Sequence, residues 1–101
     1  MKKLQLTIYL NEADRMGDIP LHEDVVRRLL RLEIAGATVT RGLMGYGKHG
    51  RVHRKRLFGV SDDRPVIITA IDDEARIRPI LTELKSIVLE GLITLQEVEV
   101  V

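Results

Sequence analysis

The chain contains no cysteine and few aromatic residues. Without thiols it has no disulfides, thiolate metal ligands or cysteine nucleophiles, and this composition suits a cytoplasmic protein. Its aromatic residues are Tyr9, Tyr46 and Phe58, fewer than the base-stacking platforms of single-stranded nucleic-acid-binding proteins usually carry. No apolar run approaches the roughly 20 residues that span a bilayer. Asparagine and glutamine are scarce beside many charges, which hints at a thermophilic source.

The residues that are present predict one globular domain over residues 1–101. The chain is 45% hydrophobic and 31% charged, which is typical of a globular protein with a single core. Its formal charge is only +1, yet five Lys/Arg, two His and no acid lie between Lys48 and Arg56. The positive field is therefore local, as expected of a loop that meets phosphate.

The first half of the chain has the pattern of a strand, a helix and a second strand. Residues 3–10 alternate between polar and apolar types, which predicts a strand with one buried face. Pro20 suits the start of a helix, and Gly36 suits the position just past its end. A β-branched strand over 38–44 should follow, with a bulge at Gly42.

The second half repeats this arrangement. Residues 65–71 are almost continuously apolar, as in a central strand covered on both sides. A helix with apolar residues at helical spacing should follow, with Asp72 or Asp73 as its cap, and should end at Gly91. Because of Pro79, it must either start near Arg76 or kink at the proline. Apolar alternation over 93–100 changes phase, which predicts a bulge at residues 96–97.

The order of these elements predicts an α+β fold. A βαββαβ sequence gives a ferredoxin-like two-layer sandwich, with a four-stranded antiparallel sheet and two helices on one face. A long loop then joins strands 2 and 3. The opposite sheet face, which includes Gln5, Thr7 and Tyr9, should lie bare, and self-association is a common way to cover such a face.

The segment from Gly45 to Gly50 matches G-x-G-x-x-G. A dinucleotide fingerprint needs a helix to open at the third glycine, but residues 51–59 show no helical apolar stripe. The glycines could instead form a phosphate-binding nest or simply a flexible turn. The basic run could be a solvated loop, a contact for phosphate or an acidic partner, or a weak, salt-sensitive nucleic-acid patch.

The residues that could carry catalysis do not form a constellation. His49 and His53 are four apart, a spacing that binds metal only on a helix, and no third ligand is evident. The two Asp-Asp pairs suit turns and helix caps. Ser61 and Ser86 have no neighbouring base to activate them. This pattern favours a binding protein without a metal over an enzyme.

Three segments together resemble the PII signalling family: Gly36–Thr40, Gly45–Lys48 and Pro65–Asp73. The run Arg41–Gly47 is also similar to the Arg-Gly-x-x-Gly-aromatic-Gly signature of a shorter PII-like subfamily. The resemblance spans about Leu4 to Val101. It implies a GlnB-like domain that forms a homotrimer with the bare sheet faces inward. It also implies an adenine nucleotide in the clefts between subunits and a mobile loop that docks on a partner protein.

The resemblance also implies roles for particular residues. Thr38 would lie at the base of the cleft with Arg41, while Gly45 and Gly47 would present backbone N–H groups to phosphate. Tyr46 and Lys48 would complete the ligand site, with Lys48 as the cation. The loop residues that would contact phosphate or a partner are His49, Arg51, His53, Arg54, Lys55 and Arg56.

Two departures from the PII pattern bear on the ligand. Val66 stands where PII proteins have a lysine that contacts phosphate, and Gly91–Thr94 replaces their Gly-Asp-Gly-Lys turn. The resemblance therefore favours AMP or ADP over ATP as an effector, with no tightly bound cofactor.

The partner expected from the resemblance is an unidentified protein, such as a membrane transporter or an enzyme, and not a nucleic acid. One alternative is a non-enzymatic structural oligomer whose basic loop binds an acidic protein or nucleic acid. Another is a small-molecule enzyme that uses the cleft between subunits.

Overall fold

The computed structural model describes residues 2–47, 53–54 and 64–101. The described helices are α1 (Leu21–Arg31) and α2 (Glu74–Ile87). The described strands are β1 (Lys3–Asn11), β2 (Arg15–Met16), β3 (Ile19–Pro20), β4 (Ala37–Arg41), β5 (Met44–Gly45), β6 (His53–Arg54), β7 (Pro65–Asp73) and β8 (Leu92–Val98).

Four of these strands form one antiparallel sheet in the order β4–β7–β1–β8. The strands that pair in space are mostly not consecutive in the chain, because α1 connects β1 to β4 and α2 connects β7 to β8. This arrangement confirms the predicted ferredoxin-like α+β fold. It also brings the end of β1 and the starts of β7 and β8 together at one end of the sheet.

One face of the sheet packs against both helices and holds the core. The alternation in β1 places its leucines and isoleucine on this face, and they are buried. The helices contribute residues at helical spacing, because positions three and four apart share one side of a helix. The buried cluster includes Leu4, Leu6, Ile8, Leu10, Leu21, Val25, Leu29, Ile68, Ala70, Ile77, Ile80 and Leu84.

The other side of the sheet, called the open face below, is not covered by either helix. Its side chains line up in rows because the strands pair without slippage. One row runs across all four strands as Thr40, Ile67, Tyr9 and Leu92, and the next as Thr38, Thr69, Thr7 and Thr94. Although β7 is almost continuously apolar, only one of its faces is covered by the helices.

Helix α1 ends earlier than the sequence predicted. Glu33, not Gly36, adopts the left-handed backbone conformation, with φ of 63°. Its N–H donates to the carbonyl of Leu30 at 3.1 Å, and the N–H of Ile34 donates to that of Leu29 at 3.1 Å. These two bonds and the buried Ile34 make a Schellman motif, which satisfies carbonyls at the helix end.

Strand β4 also ends earlier than predicted, at Arg41 instead of near Met44. Met44–Gly45 is a separate short strand that pairs with His53–Arg54. Between the two, the N–H of Gly42 donates to the carbonyl of Pro65 at 2.7 Å. This bond holds the start of the long loop against the start of β7.

Two further predictions concern the second half of the chain. Helix α2 begins at Glu74, with Asp73 at the N-cap, so the predicted start near Arg76 is correct to within two residues, and Pro79 lies inside the helix. The helix ends at Ile87, earlier than the predicted end at Gly91.

The predicted bulge at residues 96–97 is wrong, because β8 pairs with β1 in one continuous register from Leu92 to Val98. The apolar pattern changes phase because the side chain of Val98 lies on the open face, whereas those of Ile93 and Leu95 lie on the core face. Since β8 ends at Val98, this change needs no bulge.

Candidate functional site

A cavity of about 690 Å³ lies at the end of the sheet where β1 ends and β7 and β8 begin. It is larger than the cavity of about 370 Å³ that lies between α2 and β8. Its described lining comes from the strand ends, the start of the long loop and the turn before β8: Tyr9, Leu10, Asn11, Asp14, Gly42, Met44, Gly45, Tyr46, Gly47, Pro65, Ile67, Glu90, Gly91 and Leu92.

The floor of this cavity is part of the open face. Tyr9 pairs with Ile67 on one side and with Leu92 on the other. Cross-strand partners in an antiparallel sheet lie about 5 Å apart at Cβ, so these three side chains form a continuous surface. The floor therefore combines one aromatic ring with two aliphatic side chains and carries no charge.

The wall of the cavity is the backbone and side chains of residues 44–47. Its position depends on Gly42, where an added Cβ would lie 2.7 Å from Cγ of Pro65. Because any larger residue would collide with the proline ring, glycine is required for this close approach. Gly45 belongs to β5 and pairs with His53. The side chain of Tyr46 is 75% exposed.

The two glycines of the predicted phosphate nest have ordinary backbone conformations. Gly17 is the glycine with positive φ among the residues described, so neither Gly45 nor Gly47 is left-handed. A nest needs neighbouring residues in right- and left-handed conformations. In this structure the loop presents a short strand at the cavity, with open space where a Cβ of Gly47 would lie.

The described polar groups of the lining are mostly acceptors. Asn11 and Asp14 form a tight turn, in which Oδ2 of Asp14 accepts from the N–H of Asn11 at 3.0 Å. Oδ1 of Asn11 accepts from the N–H of Ala13 at 2.7 Å. Glu90 adds a second carboxylate on the side of β8. The carboxylate of Asp14 would therefore repel an anionic group placed beside it.

The structure brings together some of the predicted ligand residues and not others. Gly45, Tyr46 and Gly47 line the cavity. Thr38 and Arg41 do not line it within the described region. Thr38 lies on the open face in the row next to that of Tyr9 and on a strand beyond β7, and neighbouring rows are about 7 Å apart along the strands. Arg41 is on the opposite face and its guanidinium donates to the carboxylate of Glu12.

The basic part of the predicted site falls mainly outside the described residues. Lys48, His49, Arg51, Lys55 and Arg56 all lie there. His53 and Arg54 form strand β6. Their backbone pairing with Gly45 and Met44 brings the returning arm of the loop next to the cavity wall.

Sequence reasoning did not find the floor residues. Tyr9, Ile67 and Leu92 come from three different strands, and each by itself looks like an ordinary strand residue. The alternation in residues 3–10 did place Tyr9 on the uncovered face. The missing information was the order of the strands, because it decides which side chains become neighbours.

The described residues do not form the sites needed for some other functions. They contain no group of three or more His, Asp or Glu side chains that could hold a metal ion. No helix in the described ranges is long and apolar enough to cross a membrane. The cavity is suited to bind a flat, partly apolar molecule that has polar groups at its edges.

Comparison with known proteins identifies the family. The family model "DUF190: Uncharacterized ACR, COG1993" matches residues 3–100. The chain belongs to this family. A UPF0166 protein of Aquifex aeolicus (strain VF5) is 35% identical over 101 residues, which are 100% of this chain and 95% of that protein. A UPF0166 protein of Methanocaldococcus jannaschii is 35% identical over 96 residues, or 94% and 88% of the two chains.

Solved structures similar to this DUF190 chain are PII-like proteins. One is CPII, a nitrogen regulatory PII-like protein from Thiomonas intermedia K12, in a structure bound to ADP, AMP and bicarbonate. It superposes with a TM-score of 0.73 at 23% identity, covering 99% of this chain and 89% of CPII. At this identity the likeness establishes the fold. The PII-like resemblance inferred from the sequence is confirmed at that level.

Proposed function

We propose that this DUF190 protein is a trimeric PII-like regulator. An adenine nucleotide, AMP or ADP in preference to ATP, binds in the cavity between Tyr9 and Gly47. A second copy of the chain closes the cavity on its open side. The loop from Lys48 to Arg56 then docks on a partner protein in a way that depends on the ligand. The function is regulation by binding, without catalysis.

The cavity at the edge of the open face is the observation that carries this proposal. Its wall is the Gly45–Gly47 segment of the PII-like signature, and its floor belongs to the sheet face that neither helix covers. A ligand held there would touch the loop and the interface between subunits at the same time. Ligand binding could thus favour one loop arrangement over another, which is what a sensor requires.

The chemistry of the open face supports self-association. The chain is 31% charged, yet the two neighbouring rows that contain Tyr9 and Thr7 carry no charge. The row of four threonines crosses the whole sheet. Since each hydroxyl can donate and accept a hydrogen bond, such a row can face another copy without conflict between like groups. An uncharged face of this extent favours burial against another copy.

Two observations favour a ligand with a short phosphate chain. Val66, which replaces the PII lysine, is 2% exposed and packs in the core, so it offers nothing to a phosphate. The lining also contains the carboxylate of Asp14, which would repel additional phosphates. AMP and ADP are the nucleotides in the CPII structure to which this chain is similar.

Titration calorimetry with AMP, ADP and ATP tests the ligand. We expect binding of AMP and ADP at lower concentration than ATP. Lys48→Ala should weaken binding, whereas Lys85→Ala, which removes the same charge from α2, should not. Absence of heat for all three nucleotides at millimolar concentration would refute the proposal. Salt-sensitive RNA binding that nucleotide does not affect would support the structural-oligomer alternative instead.

Sedimentation tests the assembly independently of the ligand. Thr69→Lys places a charge in the centre of the threonine row and outside the described cavity lining, and we expect it to reduce the trimer to protomers. Leu30→Lys introduces the same group at an exposed site on α1 and should leave the trimer intact. A wild-type protein that sediments as a single protomer at micromolar concentration would contradict the proposed assembly.

A further inference from the structure

Two of the three aromatic residues in this chain line the same cavity. The chain has two tyrosines and no tryptophan, and both tyrosines belong to the lining. Tyr46 follows the short strand β5, whereas Tyr9 comes from the centre of the sheet. Aromatic rings at a ligand site commonly stack on flat ring systems, and any base offers a suitable face.

Tyr9 has an unusual environment for a residue in a central strand. It lies between β7 and β8, yet 43% of its surface is exposed. Its neighbours in the row are Ile67 and Leu92, which provide apolar contact on both sides. The ring therefore forms the middle of a flat apolar surface that faces the cavity.

The polar groups at the edge of this surface restrict the orientation of a nucleotide. The carboxylate of Asp14 disfavours a phosphate beside it. The exocyclic amino group of adenine, in contrast, is a donor that suits a carboxylate oxygen. The phosphate is better accommodated at the Gly45–Gly47 wall, from which the basic segment beginning at Lys48 continues.

We infer that Tyr9 is the residue that binds the base of the nucleotide. The purine lies on the surface formed by Tyr9, Ile67 and Leu92, and the phosphate points toward Gly45–Gly47. This assignment rests on the proposed function and adds a residue outside the PII-like signature. It predicts that affinity depends on the base as well as on the phosphate.

Tyrosine fluorescence gives a direct test, since both emitters in the chain lie at the cavity. In Tyr46→Phe, Tyr9 is the single emitter. Saturating AMP should change the emission of this variant, whereas ribose 5-phosphate, which carries a phosphate but no base, should not. An adenosine solution in a separate cuvette in the light path corrects for absorption by the base.

Calorimetry on Tyr9 variants provides the second test. Tyr9→Leu removes the ring, and we expect the Kd for AMP to rise about 5- to 100-fold. Tyr9→Phe keeps the ring and should bind AMP within about threefold of wild type. Retention of the trimer and of a cooperative thermal transition by Tyr9→Leu would show that the loss is local.

The outcomes separate this inference from the proposed function. The role of Tyr9 is refuted, and the proposed function stands, if wild type and Tyr9→Leu bind AMP equally well. The same holds if Tyr9 emission does not respond in a Tyr46→Phe protein that calorimetry shows to bind AMP. If Tyr9→Leu does not form the trimer, the fluorescence test decides alone. Tyr9 emission that stays unchanged when AMP binds to Tyr46→Phe then refutes the role of Tyr9 in binding the base. If wild type binds no adenine nucleotide, both fail.

Discussion

Replacing Asp72 with asparagine tests how the two halves of the fold are held together. The Asp72 side chain is 8% exposed and lies at the end of β7. Its Oδ2 accepts from the N–H of Ala35 at 2.9 Å, and its Oδ1 accepts from the N–H of Asp73 at 2.7 Å. The first bond fixes the connection between α1 and β4, and the second fixes the start of α2.

The magnitude follows from these two bonds. A hydrogen bond to a charged group contributes about 1.5–3 kcal/mol. Asparagine has nearly the same volume, but its amide nitrogen cannot accept, so one N–H would lose its partner and face another donor. We expect Asp72→Asn to lower the free energy of unfolding by about 2–3 kcal/mol at pH 7, which is on the order of 10–20 °C in Tm.

The pH dependence gives a second prediction for the same variant. Burial by itself raises the pKa of Asp72, but hydrogen bonds from Asp73 and Ala35 and the charges of Arg76 and Lys3 outweigh it, so the pKa is lowered. The ionised carboxylate therefore stabilises the fold above the ordinary aspartate pKa of about 3.9. This contribution is lost as the pH falls through the lower pKa of the folded state.

Denaturant unfolding from pH 7 to pH 3, at one fixed protein concentration, measures both effects. The difference between wild type and Asp72→Asn should be largest at neutral pH and narrow below about pH 4. Glu23→Gln, which removes an exposed partner of Arg27, is the control and should change stability by less than about 1 kcal/mol. A difference for Asp72→Asn that is within error of this control, or independent of pH, would refute the reasoning.

Three further predictions concern backbone positions. Glu33→Gly should stabilise the protein by about 1 kcal/mol in thermal unfolding, since glycine relieves the left-handed backbone at the end of α1; a loss of stability would contradict this account. Gly91→Ala should cost about 3 kcal/mol, because its Cβ would lie 2.4 Å from the carbonyl oxygen of Tyr9. Gly36→Ala, with no atom within 4 Å of the new Cβ, should be neutral or stabilising by up to about 1 kcal/mol; equal costs at the two glycines would disprove the steric argument.

The sequence predicted the fold because its apolar residues follow the period of each element. Alternation in residues 3–10 and helical spacing in α2 identified the strand and the helix, and both place the expected side chains in the core. The element order then left few topologies, since strands joined by helices pair in a restricted set of ways. These are local patterns, and local patterns are what a single sequence carries.

Element ends were less well predicted, because competing local structures differ little in free energy. Gly36 looked like the end of α1, yet Glu33 takes the left-handed position. Two backbone hydrogen bonds and the burial of Ile34 offset the cost of that conformation. The phase change near the end of β8 looked like a bulge, but the strand keeps its register because it stops at Val98.

What the sequence determined by itself is the set of elements, their buried sides and the glycine-rich signature of the loop. Only the tertiary structure decided which residues share the cavity. Strand order places Tyr9 between Ile67 and Leu92, and pairing with Glu12 occupies Arg41 on the other face. Periodicity reports the face on which a side chain lies. It does not report its neighbours from distant segments, because those depend on contacts formed across the whole fold.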